Sequence, residues 1–175
     1  MNDKVKILTQ INWQYLVRFG ILLGVAVGVP MIGHSQWITG PIVNATLIAA
    51  VFVVGIRGAL LIGMLPSVIA LGGGLLPAPL APMVPFIIIG NAILILLIDW
   101  SRRIDIRNNY WFGLLVGAGL KYLFLFLSSG VVVRLLLQQS LATKVAQMMS
   151  WPQFVTAVVG GVVAWGILKV IRNKD

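Results

Sequence analysis

Six apolar runs, separated by charges and Pro/Gly clusters, constrain this chain more than any other feature. They extend over Tyr15 to Ile32, Ile42 to Ile56, Ala59 to Leu76, Met83 to Trp100, Tyr110 to Leu127 and Pro152 to Ile171. A helix crosses about 30 Å of hydrocarbon with about 20 residues, or roughly 17 at the lower end. The 175 residues are 59% hydrophobic and 10% charged, against about 45–50% and about 25% in soluble domains. Mean hydropathy is +1.01. Such a chain argues against a soluble enzyme. The expected fold is all-α: a polytopic membrane protein forming one six-helix domain over residues 1–175.

The second run is short. Gly55-Ile56-Arg57-Gly58 nevertheless divides it from the third with a charge flanked by glycines, a turn signal. One continuous helix would bury Arg57 at mid-membrane, so a tight hairpin is expected. Lys and Arg then set the orientation. With six spans and a cytoplasmic N-terminus, ten fall inside: Lys4, Lys6, Arg18, Arg57, Arg102, Arg103, Arg107, Lys169, Arg172 and Lys174. Only Arg134 and Lys144 fall outside, and Lys121 stays within the membrane. Both termini are therefore expected in the cytoplasm; a five-span alternative would put the C-terminal cluster outside, which the rule disfavours. Lys4 and Lys6 precede the first run as in a signal peptide, but no clear small-x-small site ends it, so it reads as a retained helix. The net charge of +9 follows membrane orientation rather than nucleic-acid binding, because no basic patch with interleaved aromatics occurs on a polar segment. Cysteine is absent, which removes disulfides and thiolate chemistry.

Three connections lie on the expected outer side. The first is His34 to Pro41, with His34 read as a solvated loop residue. The second, Gly72 to Pro82, has no charge, three glycines and three prolines. Its backbone polar groups cannot face lipid, so it should cap the bundle or dip into a cavity. In the third, Ser128 to Trp151, Val131 to Leu137 reads as a prolongation of helix five and Leu141 to Met149 as an interfacial helix. A short echo links Asn44-Ala45-Thr46-Leu47-Ile48 with Asn91-Ala92-Ile93-Leu94-Ile95. It argues for two amides at similar depth, in the outer half of the bilayer, more than for a repeat.

Catalytic chemistry is scarce. There is no G-x-x-x-x-G-K-[ST] loop, one histidine and four acidic residues. Asp3 and Asp175 are terminal, Asp105 sits in a basic loop, and Asp99 is placed to pair with Arg102 or Arg103 one turn on. No acid–base pair, metal cluster or nucleophile triad assembles from this set. The chain is read as a non-enzyme without cofactor or metal.

Lys121 is the anomaly. It lies eleven residues after Tyr110, about 16 Å into the membrane at 1.5 Å per residue. A charge there is costly, and no intramembrane acid is available to pair with it. Its partners must be carbonyls, amides, water or a ligand anion. Gly117 one turn back and Ser128 two turns on lie on the same face, which suggests room beside it. Gln36, Thr39, Asn44, Thr46 and Asn91 also lie in the outer loop or outer half. They make either an outward-opening pocket or, in the case of the asparagines, anchors for the outer loops. Lys121 is correspondingly a ligand contact, a structural lysine bonded to helix carbonyls, or a snorkelling residue or part of a misplaced span. The candidate binding set is Lys121, Asn44, Asn91, Gln36, Thr39 and Ser128. On the first helix, Gly20, Gly24 and Gly28 repeat at four-residue spacing, either for packing within the bundle or for docking a partner helix.

The stretch WITGPIVNATLIAAVFVVGIRGALLIGMLPSVIALGGGLLPAPLAPMVPFIIIGNA resembles a branch of the energy-coupling factor transporter S components. Its TGP-x-VNA, LP-x-PLAP-x-x-P and GNA motifs carry the likeness. WPQFVTAVVGG and the helix-five lysine add to it, so that it covers nearly all the chain after about Tyr15. The resemblance implies a six-helix, substrate-binding subunit in the plasma membrane of a prokaryote. Such a subunit captures a vitamin-like or other small molecule from outside and topples in the membrane. A separate transmembrane T component and two cytoplasmic ATPases power uptake. Helix one of many such subunits carries Ala-x-x-x-Ala against the T component; Gly20, Gly24 and Gly28 occupy the matching region here. The N-terminal His of nickel and cobalt members is missing, which argues against metal as the substrate. Two other functions remain open: a scaffold or anchoring subunit of a larger complex without a small-molecule ligand, and a stand-alone channel or carrier.

Overall fold

Apolar, Leu/Ile/Val/Ala-rich runs form helices because each backbone group is then satisfied within its own segment. The computed structural model describes residues 12–32, 35–72, 78–136 and 139–173. All regular structure among them is helical: α1 (Trp13–Ile32), α2 (Gln36–Val53), α3 (Gly55–Gly72), a 3-10 helix (Ala78–Met83), α4 (Val84–Ser101), α5 (Asn109–Leu136), α6 (Gln139–Met148) and α7 (Trp151–Arg172). Five helical stretches, Trp13–Ile32, Gln36–Val53, Ala81–Ser101, Asn109–Arg134 and Val145–Arg172, are long and apolar enough to cross a membrane. The apolar part of α3, Gly55–Ile69, is shorter. These are the helices of a multi-pass membrane protein. Aromatic rings gather at both ends of the bundle, as in interfacial belts. Trp37 pairs with Trp151 at 5.2 Å at one end, and Trp111 with Trp165 at 5.8 Å at the other.

The expected hairpin between the second and third runs is present. α2 ends at Val53, and Gly55 takes a φ of +76°, a left-handed conformation that glycine adopts without strain. Arg57 and Gly58 lie in the first turn of α3 rather than in the turn itself. The start of α2 differs more. Ile42 was the expected beginning, but the helix opens at Gln36 and runs through Pro41. Gln36 and Thr39 are therefore helical, not loop residues. Thr39 Oγ1 donates to the Ser35 carbonyl at 3.1 Å, and neighbouring helices tolerate the single backbone bond that Pro41 forfeits. His34 and residues 73–77 of the glycine-proline connection lie outside the described residues. The rest of that connection does cap the bundle: Ala78–Met83 coils into the 3-10 helix and buries Met83. α5 extends to Leu136 and α6 follows as a separate amphipathic helix, both close to expectation.

α2 packs against α7, and α4 against α5, more extensively than any other helix pairs. In lipid this association depends on close van der Waals approach. A Cβ added to Gly160 would stand 2.7 Å from the Pro41 carbonyl oxygen, and one on Gly40 2.9 Å from Thr156 Cβ. Gly117 serves similarly between α5 and α4, where an added Cβ would meet Leu94 Cδ1 at 3.1 Å. The space inferred beside Lys121 from this glycine is filled by a helix.

At the α4 end of the bundle, Asp99 pairs with Arg103 at 2.6 Å and, more loosely, with Arg102 at 3.8 Å. Arg102 Nη1 also donates to the Val51 carbonyl at 2.9 Å and lies 4.6 Å from the Phe52 ring centre. It thereby caps one of the terminal carbonyls that α2 leaves open. Arg102→Ala is expected to lower stability by about 1 kcal/mol, read as the shift in thermal unfolding of the purified protein in detergent.

Candidate functional site

Lys121 projects from the middle of α5 and is 3% exposed. Its Nζ donates to Asn44 Oδ1 on α2 at 2.6 Å and to Asn91 Oδ1 on α4 at 2.8 Å. The two asparagines of the NA-x-L-I echo thus share one ammonium, so the echo did mark amides at a common level. The helices concerned are the second, fourth and fifth of the expected spans. The early start of α2 places Asn44 at mid-helix, deeper than its sequence position after Pro41 implied. That position lets it reach Lys121, which is near the middle of α5.

The amide nitrogens are held from behind. Asn91 Nδ2 donates to the Gly63 carbonyl on α3 at 3.1 Å. Gly63 permits the approach, since a Cβ there would stand 2.9 Å from Ile95 Cδ1. Asn44 Nδ2 faces Thr156 Oγ1 on α7 at 3.5 Å, and Thr156 Oγ1 in turn donates to the Gln153 carbonyl at 3.3 Å. Both asparagines consequently point their carbonyls, not their NH2 groups, at the lysine. No buried side-chain nitrogen or oxygen among the described residues lacks a partner. Thr156 was not among the sequence candidates. Its signal was the Thr156-x-x-x-Gly160 spacing inside WPQFVTAVVGG, which makes a thin helix face. Thr156→Val is expected to loosen Asn44 and lower stability by about 1 kcal/mol, whereas Thr156→Ser retains the oxygen and the stability; thermal unfolding of the two variants separates hydroxyl from methyl.

This polar layer separates two apolar clusters. Leu94, Ile95, Ile98, Leu114 and Ala118 belong to the larger one. Met83, Leu125, Val132, Val145 and Met149 form the smaller, with Phe86 and Ile87 packed against it. Along α4 the order is Ile87, Asn91, Leu94; along α5 it is Ala118, Lys121, Leu125. The cluster formed by the 3-10 helix, α6 and the end of α5 therefore covers the lysine layer.

The remaining sequence candidates fall elsewhere. Gln36 Nε2 donates to the Met148 carbonyl at 2.8 Å, and Gln153 Nε2 to the same oxygen at 3.2 Å, so Gln36 fastens α6 to the bundle. Thr39 bonds its own helix. Ser128 is part-exposed on α5 beyond Leu125 and makes no bond to the layer. Thr46 Oγ1 donates to the Ile42 carbonyl at 2.8 Å within α2. The glycine face of α1 does not pack inside the bundle: nothing lies within 4 Å of a Cβ added at Gly20, Gly24 or Gly28. Of α1 only Ala26 is buried.

No protein-family model, no curated protein and no solved structure matches the chain.

Proposed function

We propose that the protein is the substrate-capture subunit of an energy-coupling factor type importer, with six spans and both termini in the cytoplasm of a prokaryotic cell. It takes a vitamin-like or other small organic molecule from outside. The observation that carries this reading is Lys121, a cation buried on α5 whose two partners are neutral amides. A purely structural role has simpler solutions, since apolar side chains of similar volume are often at least as stabilising as buried charges. A ligand supplies a reason for the charge. Asn44 and Asn91 orient Lys121, and Thr156 and the Gly63 carbonyl orient the asparagines. The motif resemblance supplies the partners: a transmembrane T component and two ATPases. Gly20, Gly24 and Gly28, open on the outside of α1, form the docking face in this proposal.

A second reading is favoured by the fact that every buried side-chain nitrogen and oxygen among the described residues, those around Lys121 included, already has a partner within the protein. In it the lysine layer only pins helices together, and the protein is a membrane scaffold with no small-molecule ligand. A thermal-shift screen of purified protein with vitamins, nucleobases and their precursors decides between them. Saturable stabilisation supports capture; a flat screen supports the scaffold. Affinity purification is expected to bring down the T component and ATPases. Gly24→Leu is expected to weaken that co-purification about tenfold, by filling the surface a partner backbone approaches, while leaving the isolated subunit's unfolding temperature unchanged.

A further inference from the structure

Lys121 is the one charged residue among the buried side chains described. The two described carboxylates are remote from it in role: Asp99 is engaged by Arg102 and Arg103, and Asp105 is exposed. The layer therefore carries one positive charge and no counter-ion of its own. Its donors are also not exhausted. An ammonium has three N–H groups and a primary amide two. Lys121 spends two on the asparagines, and each asparagine spends one, on Thr156 or Gly63. One N–H on Lys121 and one on each amide remain beyond these bonds.

We infer that the ligand presents a single, singly charged anionic group to Lys121, a carboxylate of an organic molecule or a free monovalent anion. This rests on the capture reading and sharpens it. A carboxylate brings one negative charge, which matches the single ammonium, and a lone pair for the third N–H of Lys121. A phosphate monoester brings about −1.5 to −2 charge and leaves negative charge buried without a partner, which is strongly unfavourable. A neutral amide or alcohol leaves the ammonium without a counter-ion. The other described cations, Arg18, Arg57, Arg102, Arg103, Arg107, Arg134, Lys169 and Arg172, are all exposed, so none of them supplies a second buried charge. Lys121 is covered, so the proposal requires the apolar cap above the layer to shift when the anion enters.

The test uses purified full-length protein in detergent and reads thermal shift against probe concentration. The probes are benzoate and octanoate, benzamide and octanamide, phenyl phosphate, succinate, and sodium nitrate. The vitamin and nucleobase library is run beside them. Saturable stabilisation by the carboxylates, absent with their amides, phenyl phosphate and succinate, is expected, and Lys121→Met should weaken it about 100-fold. Nitrate acting as well as the carboxylates identifies a free anion as the ligand; nitrate inactive identifies an organic one. A second variant guards against misfolding of the first. Asn91→Asp places a carboxylate beside Lys121, and is expected to raise the resting unfolding temperature and abolish the response to added anions. An anion response unchanged in either variant overturns the inference, as does stabilisation by the amides or phenyl phosphate. A flat anion panel with a neutral library hit overturns the charge assignment but leaves capture standing. A flat response throughout overturns both.

Discussion

Lys121→Met protein is expected to be less stable than the native protein by about 2 kcal/mol or more, because two buried amide oxygens each lose a donor at about 1–3 kcal/mol. The revealing comparison is a triple variant, Lys121→Met with Asn44→Leu and Asn91→Leu. Replacing all the partners with apolar groups of similar size removes the unsatisfied atoms together with the charge. Its stability is expected to return to within about 1 kcal/mol of native. Thr156 keeps its bond to the Gln153 carbonyl, so the substitution strands no other side chain. If the lysine layer exists to capture a ligand, the triple variant folds and binds nothing. If it exists only to pin helices, the triple variant keeps whatever the protein does. Stability by denaturant titration in mixed micelles and ligand response by thermal shift, measured on the same samples, separate the two.

Gly160→Val is expected to have the largest structural effect of any single change considered. The added Cβ would lie 2.7 Å from the Pro41 oxygen, 2.8 Å from Asn44 Cβ and 2.9 Å from the Ala45 nitrogen. Two of these three atoms are backbone and cannot rotate away. Overpacking usually costs about 1–3 kcal/mol and more where backbone must move. The clash also falls beside Asn44, so α2 would retreat with the amide that bonds Lys121. Loss of stability and of ligand response together is the expected result, and Gly160→Ala should show the same trend in milder form. Gly24→Ala is the control. Nothing lies within 4 Å of its added Cβ, and alanine suits a helix better than glycine by about 1 kcal/mol. Its unfolding temperature should equal or exceed that of the native protein.

How far the site was legible can be followed residue by residue. Lys121 stood out because a charge in an apolar run has no bland explanation. Asn44 and Asn91 stood out by their shared local pattern. Gln36, Thr39 and Ser128 share with them only polarity and the outer side of the expected topology. Depth along a helix axis separates them, and depth depends on where each helix begins. Pro41 was read as loop punctuation, yet α2 starts five residues before it, and this shift carried Asn44 inward to Lys121 while leaving Gln36 to hold α6. Thr156 and Gly63 were missed for a related reason. A threonine and a backbone carbonyl on other helices become partners only when those helices lie beside the amides, and no local pattern reports that.

The sequence by itself determined that the chain is a helical membrane protein, where its apolar runs lie, that a hairpin turns near Gly55, and that one lysine must find neutral or external partners. These follow from hydropathy, from glycine's access to positive φ and from charge, all of which act locally or through the solvent. Which partners Lys121 has, which way the two amides point and which glycines face another helix were decided only in the tertiary structure. Hydrogen bonds a few ångströms long and the fit of a thin helix face depend on the mutual placement of helices far apart in the chain. Gly160 and Gly24 are the same residue type in similar apolar helices; only the fold makes one an indispensable contact and the other an open face.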